Sequence, residues 1–107
     1  MSSKSILRHV VMFGFKSGTS ENQIAKIIQR FSKLRDVISE ISAFECGENN
    51  SPEGLNKGLS HCFLLSFDSL AARDIYLTHQ SHVAFADWVG NWVETATVLD
   101  YWAGENL

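Results

Sequence analysis

A chain of 107 residues, 45% hydrophobic and 20% charged, has the length of one domain and the composition of an ordinary globular core. Nine basic against twelve acidic residues give a net charge of -3, with the signs interleaved and no basic patch, which argues against nucleic acid or an anionic membrane surface as a partner. No segment approaches the ~20 apolar residues that cross a bilayer and Met1–Arg8 has no run suited to a signal peptide, so a cytoplasmic protein is expected.

In chain order, His9 to Phe15 (HVVMFGF) is β-branched and aromatic and reads as a strand, largely apolar on both faces, so that both faces are expected to be covered. Ser20 followed by Gln23 is a capping-box pattern. After it Ile24, Ile27, Ile28, Phe31, Leu34 and Ile38 recur at helical spacing, which predicts an amphipathic helix. Ile41 to Gly47 is a weaker strand, and Glu48 to Gly58, with the only proline, is a surface loop. His61 to Phe67 (HCFLLSF) is a second apolar strand. Ser69 can cap a helix from Leu70 to Leu77, and a second helical run follows with His82, Phe85, Ala86, Val89 and Val93 on one face. Thr95 to Trp102 closes the chain as a strand.

The order β-α-β-β-α-β, with its second helix broken, is the ferredoxin-like α+β pattern: one domain over residues 1–107 (core 8–103), a four-stranded antiparallel sheet, and helices on one face. The other face would carry Val10, Met12, Cys62, Leu64, Leu99 and Tyr101, bare in a monomer, so a homodimer joined through the sheet face is expected. Cys46 and Cys62 are expected as free thiols, since a reducing compartment disfavours the disulfide and their spacing is not of a metal-binding type. Asn49-Asn50-Ser51 matches a glycosylation acceptor with no secretory route to use it.

The stretch with the most chemistry is Tyr76-Leu77-Thr78-His79-Gln80-Ser81-His82, where a helical pattern breaks and restarts around a phenol and two imidazoles. Tyr76 and His82 have inward apolar companions at helical spacing, and each needs a polar partner if buried. The first and last strands of a split βαβ sheet are antiparallel neighbours, which sets His9 beside Asp100, with Val11, Phe13 and Val98 on the same face.

Four stretches carry a family resemblance: His9-Val10-Val11; Ser51-Pro52-Glu53-Gly54-Leu55-Asn56-Lys57-Gly58 leading to His61; Tyr76, His79 and His82; and Asp100-Tyr101. Together they resemble the stress-responsive dimeric α+β barrel (Dabb) family from Arg8 to Tyr101. That resemblance implies a ferredoxin-like protomer whose sheet packs on its twin's to form a barrel. In the family's best understood enzymatic branch, plant polyketide cyclases form olivetolic acid by aldol condensation without metal or cofactor. The catalytic tyrosine and histidine of that branch match Tyr76 and His82, its first-strand histidine matches His9, and its pocket aspartate matches Asp100. The chain departs from the pattern at Gln80, Cys46 and Ser39, and Ile27, Ile28 and Phe31 replace more aromatic pocket positions, so the branch's substrate does not transfer with the fold.

On this reading His82 is a general base that removes a proton α to a ketone, Tyr76 donates to the carbonyl oxygen, and His9 and Asp100 tune the pair. The ligand is small, aromatic or polyketide-like, in a pocket lined by Val11, Phe13, Ile27, Phe31, Phe63, Phe85 and Val98. The competing reading is a non-enzymatic stress-associated dimer, in which the same four residues form a buried polar network and side chains such as Phe85 and Trp102 fill the pocket. No metal is expected, because the spacing of His79 and His82 straddles a helix break and lacks a carboxylate. No cofactor is expected; haem oxygenation is a further alternative, since related dimeric α+β barrels include monooxygenases, but the sequence singles out no axial ligand. His61 should lie at the far end of the sheet, His79 at the break as a cap, and Trp88, Trp92 and Trp102 in core or dimer packing.

Overall fold

The computed structural model describes residues 5–104; of the stretch Met1–Arg8 considered above, positions 1–4 lie outside the described residues. The elements are β1 (Ile6–Phe15), α1 (Glu21–Val37), β2 (Ala43–Glu48), β3 (His61–Phe67), α2 (Leu70–Thr78), α3 (Gln80–Val89) and β4 (Val93–Ala103). The strands form one antiparallel sheet in the order β2-β3-β1-β4, the ferredoxin-like arrangement.

Local chemistry explains the element boundaries. Ser20 Oγ accepts from the Gln23 N–H at 3.0 Å and opens α1, and Ser69 Oγ does the same from Ala72 at 3.0 Å for α2. The reciprocal half of the first capping box is not made: Gln23 Nε2 is buried without a partner among the described residues. α1 buries Ile27, Phe31 and Leu34, and Ile38 at its C-cap is buried too, while Ile24 and Ile28 are only half-buried. Ile41, expected in β2, is buried in the turn before it, its N–H bonded to the Ile38 carbonyl at 3.1 Å. Val93, expected on the second helical face, begins β4 instead. The turn after Val89, closed by Trp92 N–H on the Val89 carbonyl at 2.9 Å, takes the place of a last helical turn.

Gly14 is required by a close approach. A Cβ there would collide with the Gly58 carbonyl oxygen, because the loop returning into β3 lies against β1, with the Ser60 N–H on the Phe13 carbonyl at 2.8 Å. The register also shifts between Gly14 and Phe15.

The core lies between one sheet face and the helices. Leu7, Val11 and Phe13 from β1 meet Phe63, Leu65 and Phe67 from β3. Phe31 stacks on Phe63 with ring centroids 4.7 Å apart and packs at a tilt on Phe85 at 4.6 Å. The other sheet face is not covered within the chain: Leu99 is 60% and Tyr101 45% exposed, Cys62 is exposed, and Val10, Met12 and Leu64 are half-buried. The expectation of two covered faces therefore fails for a single chain, because every helix packs on the same side. Cys46 and Cys62 are free and exposed. They point to opposite faces, since Cys46 pairs with Phe63 and Cys62 with Gly47.

Candidate functional site

β1 and β4 pair with His9 opposite Asp100, as antiparallel neighbours require. The His9 Nδ1 lies 2.7 Å from Asp100 Oδ1. A carboxylate only accepts, so Nδ1–H donates. Asp100 Oδ2 accepts from Arg73 Nη1 on α2 at 2.9 Å, and Arg73 Nε donates to Asp74 at 2.9 Å. These bonds to Asp100 and Asp74 hold the guanidinium's proton more firmly than usual.

Tyr76 sits above His9, its ring edge-on at 5.6 Å, with Phe67 at 5.2 Å and the His82 ring at 4.3 Å. The residue is fully buried, and its Oη has no hydrogen-bond partner among the described residues. Burial, and after it the charge of Asp100, pushes the phenol's pKa far up, so the hydroxyl keeps its proton and acts as a donor.

The break between α2 and α3 sets the state of His82. A continuous helix would spend the Leu77 carbonyl on the Ser81 N–H. Here His79 Nδ1 accepts from Ser81 N–H at 3.0 Å, and the freed Leu77 carbonyl lies 3.1 Å from His82 Nδ1. A carbonyl only accepts, so Nδ1 carries the hydrogen and Nε2 keeps its lone pair. Burial lowers the His82 pKa, the Leu77 hydrogen bond opposes that, and His9 and His79 add smaller lowering contributions. The result is a neutral imidazole with a free acceptor next to a phenol donor.

These groups line a cavity of about 310 Å³ whose wall is otherwise mostly apolar: Val11, Phe13, Phe31, Leu77, Phe85, Ala86, Val89, Gly90, Val93, Ala96 and Val98. It opens beside β4, where Val98 is 58% exposed although it faces the helix side. Among the described residues no group of three or more His, Cys, Asp or Glu could hold a metal. His9, His79 and His82 each already use Nδ1 in a bond within the chain.

Residues 7–103 match the Dabb family, the stress responsive A/B barrel domain. The chain belongs to the Dabb family. It is 33% identical over 98 residues to the stress-response A/B barrel domain-containing protein HS1 of Arabidopsis thaliana, covering 92% of this chain and 90% of that one. It is 22% identical over 95 residues to the olivetolic acid cyclase of Cannabis sativa, covering 89% and 94%. The hydroxynitrile lyase of Passiflora edulis superposes with a TM-score of 0.90 at 26% identity, covering 98% of this chain and 99% of that one.

Against the positions expected from the sequence, this Dabb chain brings Tyr76, His82 and His9 to one cavity and places Asp100 behind His9. Val11, Phe13, Phe31, Phe85 and Val98 line it. Ile27 and Phe63 do not: both are completely buried in the core, Phe63 against the ring of Phe31, which does line the cavity. Phe85 forms a wall rather than a plug. Trp102, 45% exposed on β4, lies outside the lining, so neither residue closes the space. Trp88 and Trp92 pack on the core, with Arg30 4.3 Å over the Trp88 ring. His61 bonds Ser60 Oγ at 2.8 Å, four positions along β3 from Leu65, the partner of His9. His79 caps α3.

Sequence reasoning missed Arg73, and the lining expected from it lacks Leu77, Ala86, Val89, Gly90, Val93 and Ala96. Arg73 reads as an ordinary surface cation on a short helix, and its partner Asp100 is 27 positions away. The Leu77 carbonyl is a backbone group with no side-chain signature.

Proposed function

We propose that this protein binds a small, neutral, largely apolar carbonyl compound between α2, α3 and β4 and performs cofactor-free acid–base chemistry on it. The observation that carries this reading is the Tyr76 hydroxyl, completely buried and without a hydrogen-bond partner among the described residues, on a side chain that lines the cavity. A network kept only for packing would satisfy that group, since leaving it orphaned costs about 1–3 kcal/mol. A ligand oxygen accepting from Tyr76 repays the cost as negative charge develops on it. His82 Nε2, on the ring beside the phenol, takes the proton from the adjacent carbon; with a cyanohydrin it takes the hydroxyl proton as the C–CN bond breaks, and the imidazolium returns that proton to the departing cyanide, leaving the carbonyl compound. The olivetolic acid cyclase and the hydroxynitrile lyase among its relatives support an enzymatic rather than a purely structural role.

The lining also bears on the ligand's charge. Its polar side chains are His9, Tyr76 and His82, with no Lys or Arg among the lining, and Arg73 beside Asp100 is bonded to Asp100 and Asp74. A carboxylate would meet no permanent cation in the lining and would have to draw a proton onto an imidazole there, whereas a neutral compound needs no such charge. At about 310 Å³ the space suits a compound near one aromatic ring with a short chain, the low end of small-molecule sites at about 300–1,000 Å³.

A thermal-shift series tests the proposal, with acetophenone, benzaldehyde, mandelonitrile and a β-keto ester, each beside a carboxylate analogue. Neutral compounds at about a hundred times their Kd should stabilise the protein by about 2.7 kcal/mol. Carboxylates should not, and His82→Ala should lose the effect. No shift with any neutral compound, or equal shifts with the carboxylates, would overturn the reading.

We also infer a homodimer through the uncovered sheet face, whose Leu99 and Tyr101 are 60% and 45% exposed. Light scattering should give twice 12.0 kDa for the wild type and a single 12.0 kDa for the double variant Leu99→Lys, Tyr101→Lys. A monomeric wild type sinks the inference.

A further inference from the structure

We propose that Arg73 is a positioning residue for the cavity: it holds one oxygen of Asp100 so that the other fixes His9 with its hydrogen on Nδ1, leaving His9 Nε2 as an acceptor on the cavity wall. The inference rests on the acid–base reading above and extends it to a residue outside the lining.

Asp100 lies on an edge strand with its side chain 21% exposed, and alone it is free to turn toward water. Both of its oxygens are engaged, Oδ1 by His9 at 2.7 Å and Oδ2 by Arg73 at 2.9 Å. The carboxylate plane is therefore held between β1 and α2. Arg73 is braced in turn, its Nε edge on Asp74 while Nη1 reaches Asp100. These bonds tie together residues 91 and 27 positions apart, which a surface ion pair on one helix does not do.

His9 is buried with its second nitrogen across the ring from the one Asp100 holds. The groups around it are Asp100 from β4, Phe67 from β3 and Tyr76 from α2, with His82 of α3 against the Tyr76 ring. With Nδ1–H committed to Asp100, Nε2 can only accept while the ring is neutral. The cavity then presents one donor, Tyr76, and two imidazole acceptors. That set suits a ligand carrying both a carbonyl oxygen and a hydroxyl or enol hydrogen. The positive charge of Arg73 also offsets that of Asp100, so an enolate forming at Tyr76 is not opposed by an unbalanced carboxylate.

The test reads the ring of His9 directly, by long-range proton–nitrogen correlation on the full chain labelled with 15N-histidine, at a pH where the ring is neutral. Wild type should show hydrogen on Nδ1 and a bare Nε2. Arg73→Ala should lose that signature as the Nε2–H form appears, and Arg73→Lys, which restores a cation beside Asp100, should recover it. If Arg73→Ala does not fold, Arg73→Met keeps the apolar stem and carries the same readout. A folded Arg73→Ala or Arg73→Met protein with the wild-type His9 signature overturns the proposal, as does a bare Nδ1 in the wild type. The measurement needs no substrate, so failure of the carbonyl screen and failure of the Arg73 assignment are separate results.

Discussion

Tyr76→Phe should leave the protein at least as stable as the wild type while removing its acid–base chemistry. The ring contacts survive the change: Phe67 at 5.2 Å, His9 at 5.6 Å and His82 at 4.3 Å all face the ring rather than the hydroxyl. What is lost is a buried oxygen with no partner among the described residues. Such an orphan costs about 1–3 kcal/mol, so its removal is neutral or stabilising by about 1 kcal/mol. Loss of a donor aimed at a developing oxyanion costs roughly 10²–10³ in rate. Urea unfolding and turnover of whichever carbonyl compound stabilises the wild type check the two halves together. A variant that is less stable yet fully active would mean that the hydroxyl serves packing and not chemistry.

Replacement of His82 should separate rate from fold by a different route. His82→Asn retains an N–H that reaches the Leu77 carbonyl, now 3.1 Å from the imidazole Nδ1, but has no basic nitrogen in place of Nε2. A positioned general base contributes roughly 10²–10⁴ in rate, and that factor should be lost with the helix break intact. The wild-type rate should stay flat through neutral pH and fall only when the medium is more acidic than the ordinary histidine value, because burial lowers the His82 pKa below its reference of 6.5. Stability has the same sign. Between 6.5 and the lower folded value the unfolded chain binds the proton and the folded chain does not, so stability is full above 6.5 and declines as pH drops through that window. His82→Asn should flatten that part of the urea midpoint against pH. A pH–rate profile indifferent to the substitution would exclude His82 as the base.

The helix break is where sequence and structure meet most directly. Periodicity places Tyr76 and His82 on inward faces of two short helices, and the polar run between them announces the interruption. Strand order places His9 beside Asp100 without any knowledge of side chains, because first and last strands pair in a split βαβ sheet. The lining was less legible. Ile27 and Phe63 have the same inward phase as Phe31 and Val11, yet they are core and not cavity wall. Periodicity reports which side of an element faces inward, but not whether another side chain stands between that residue and an open space. Val98 illustrates the converse: it is on the helix side of β4 and still 58% exposed, since no helix roofs that edge.

From its residues alone the chain specifies a ferredoxin-like order of elements, an apolar outer sheet face and four chemically capable side chains at one end, because hydrophobic period, capping and turn chemistry are local. The tertiary structure alone decides the rest: the freed Leu77 carbonyl that holds His82 Nδ1, the Tyr76 hydroxyl buried without a partner among the described residues, the Arg73 to Asp100 bond and the opening beside β4. Each of these depends on distances between segments remote in sequence or on a backbone group with no identity of its own, and neither leaves a pattern along the chain.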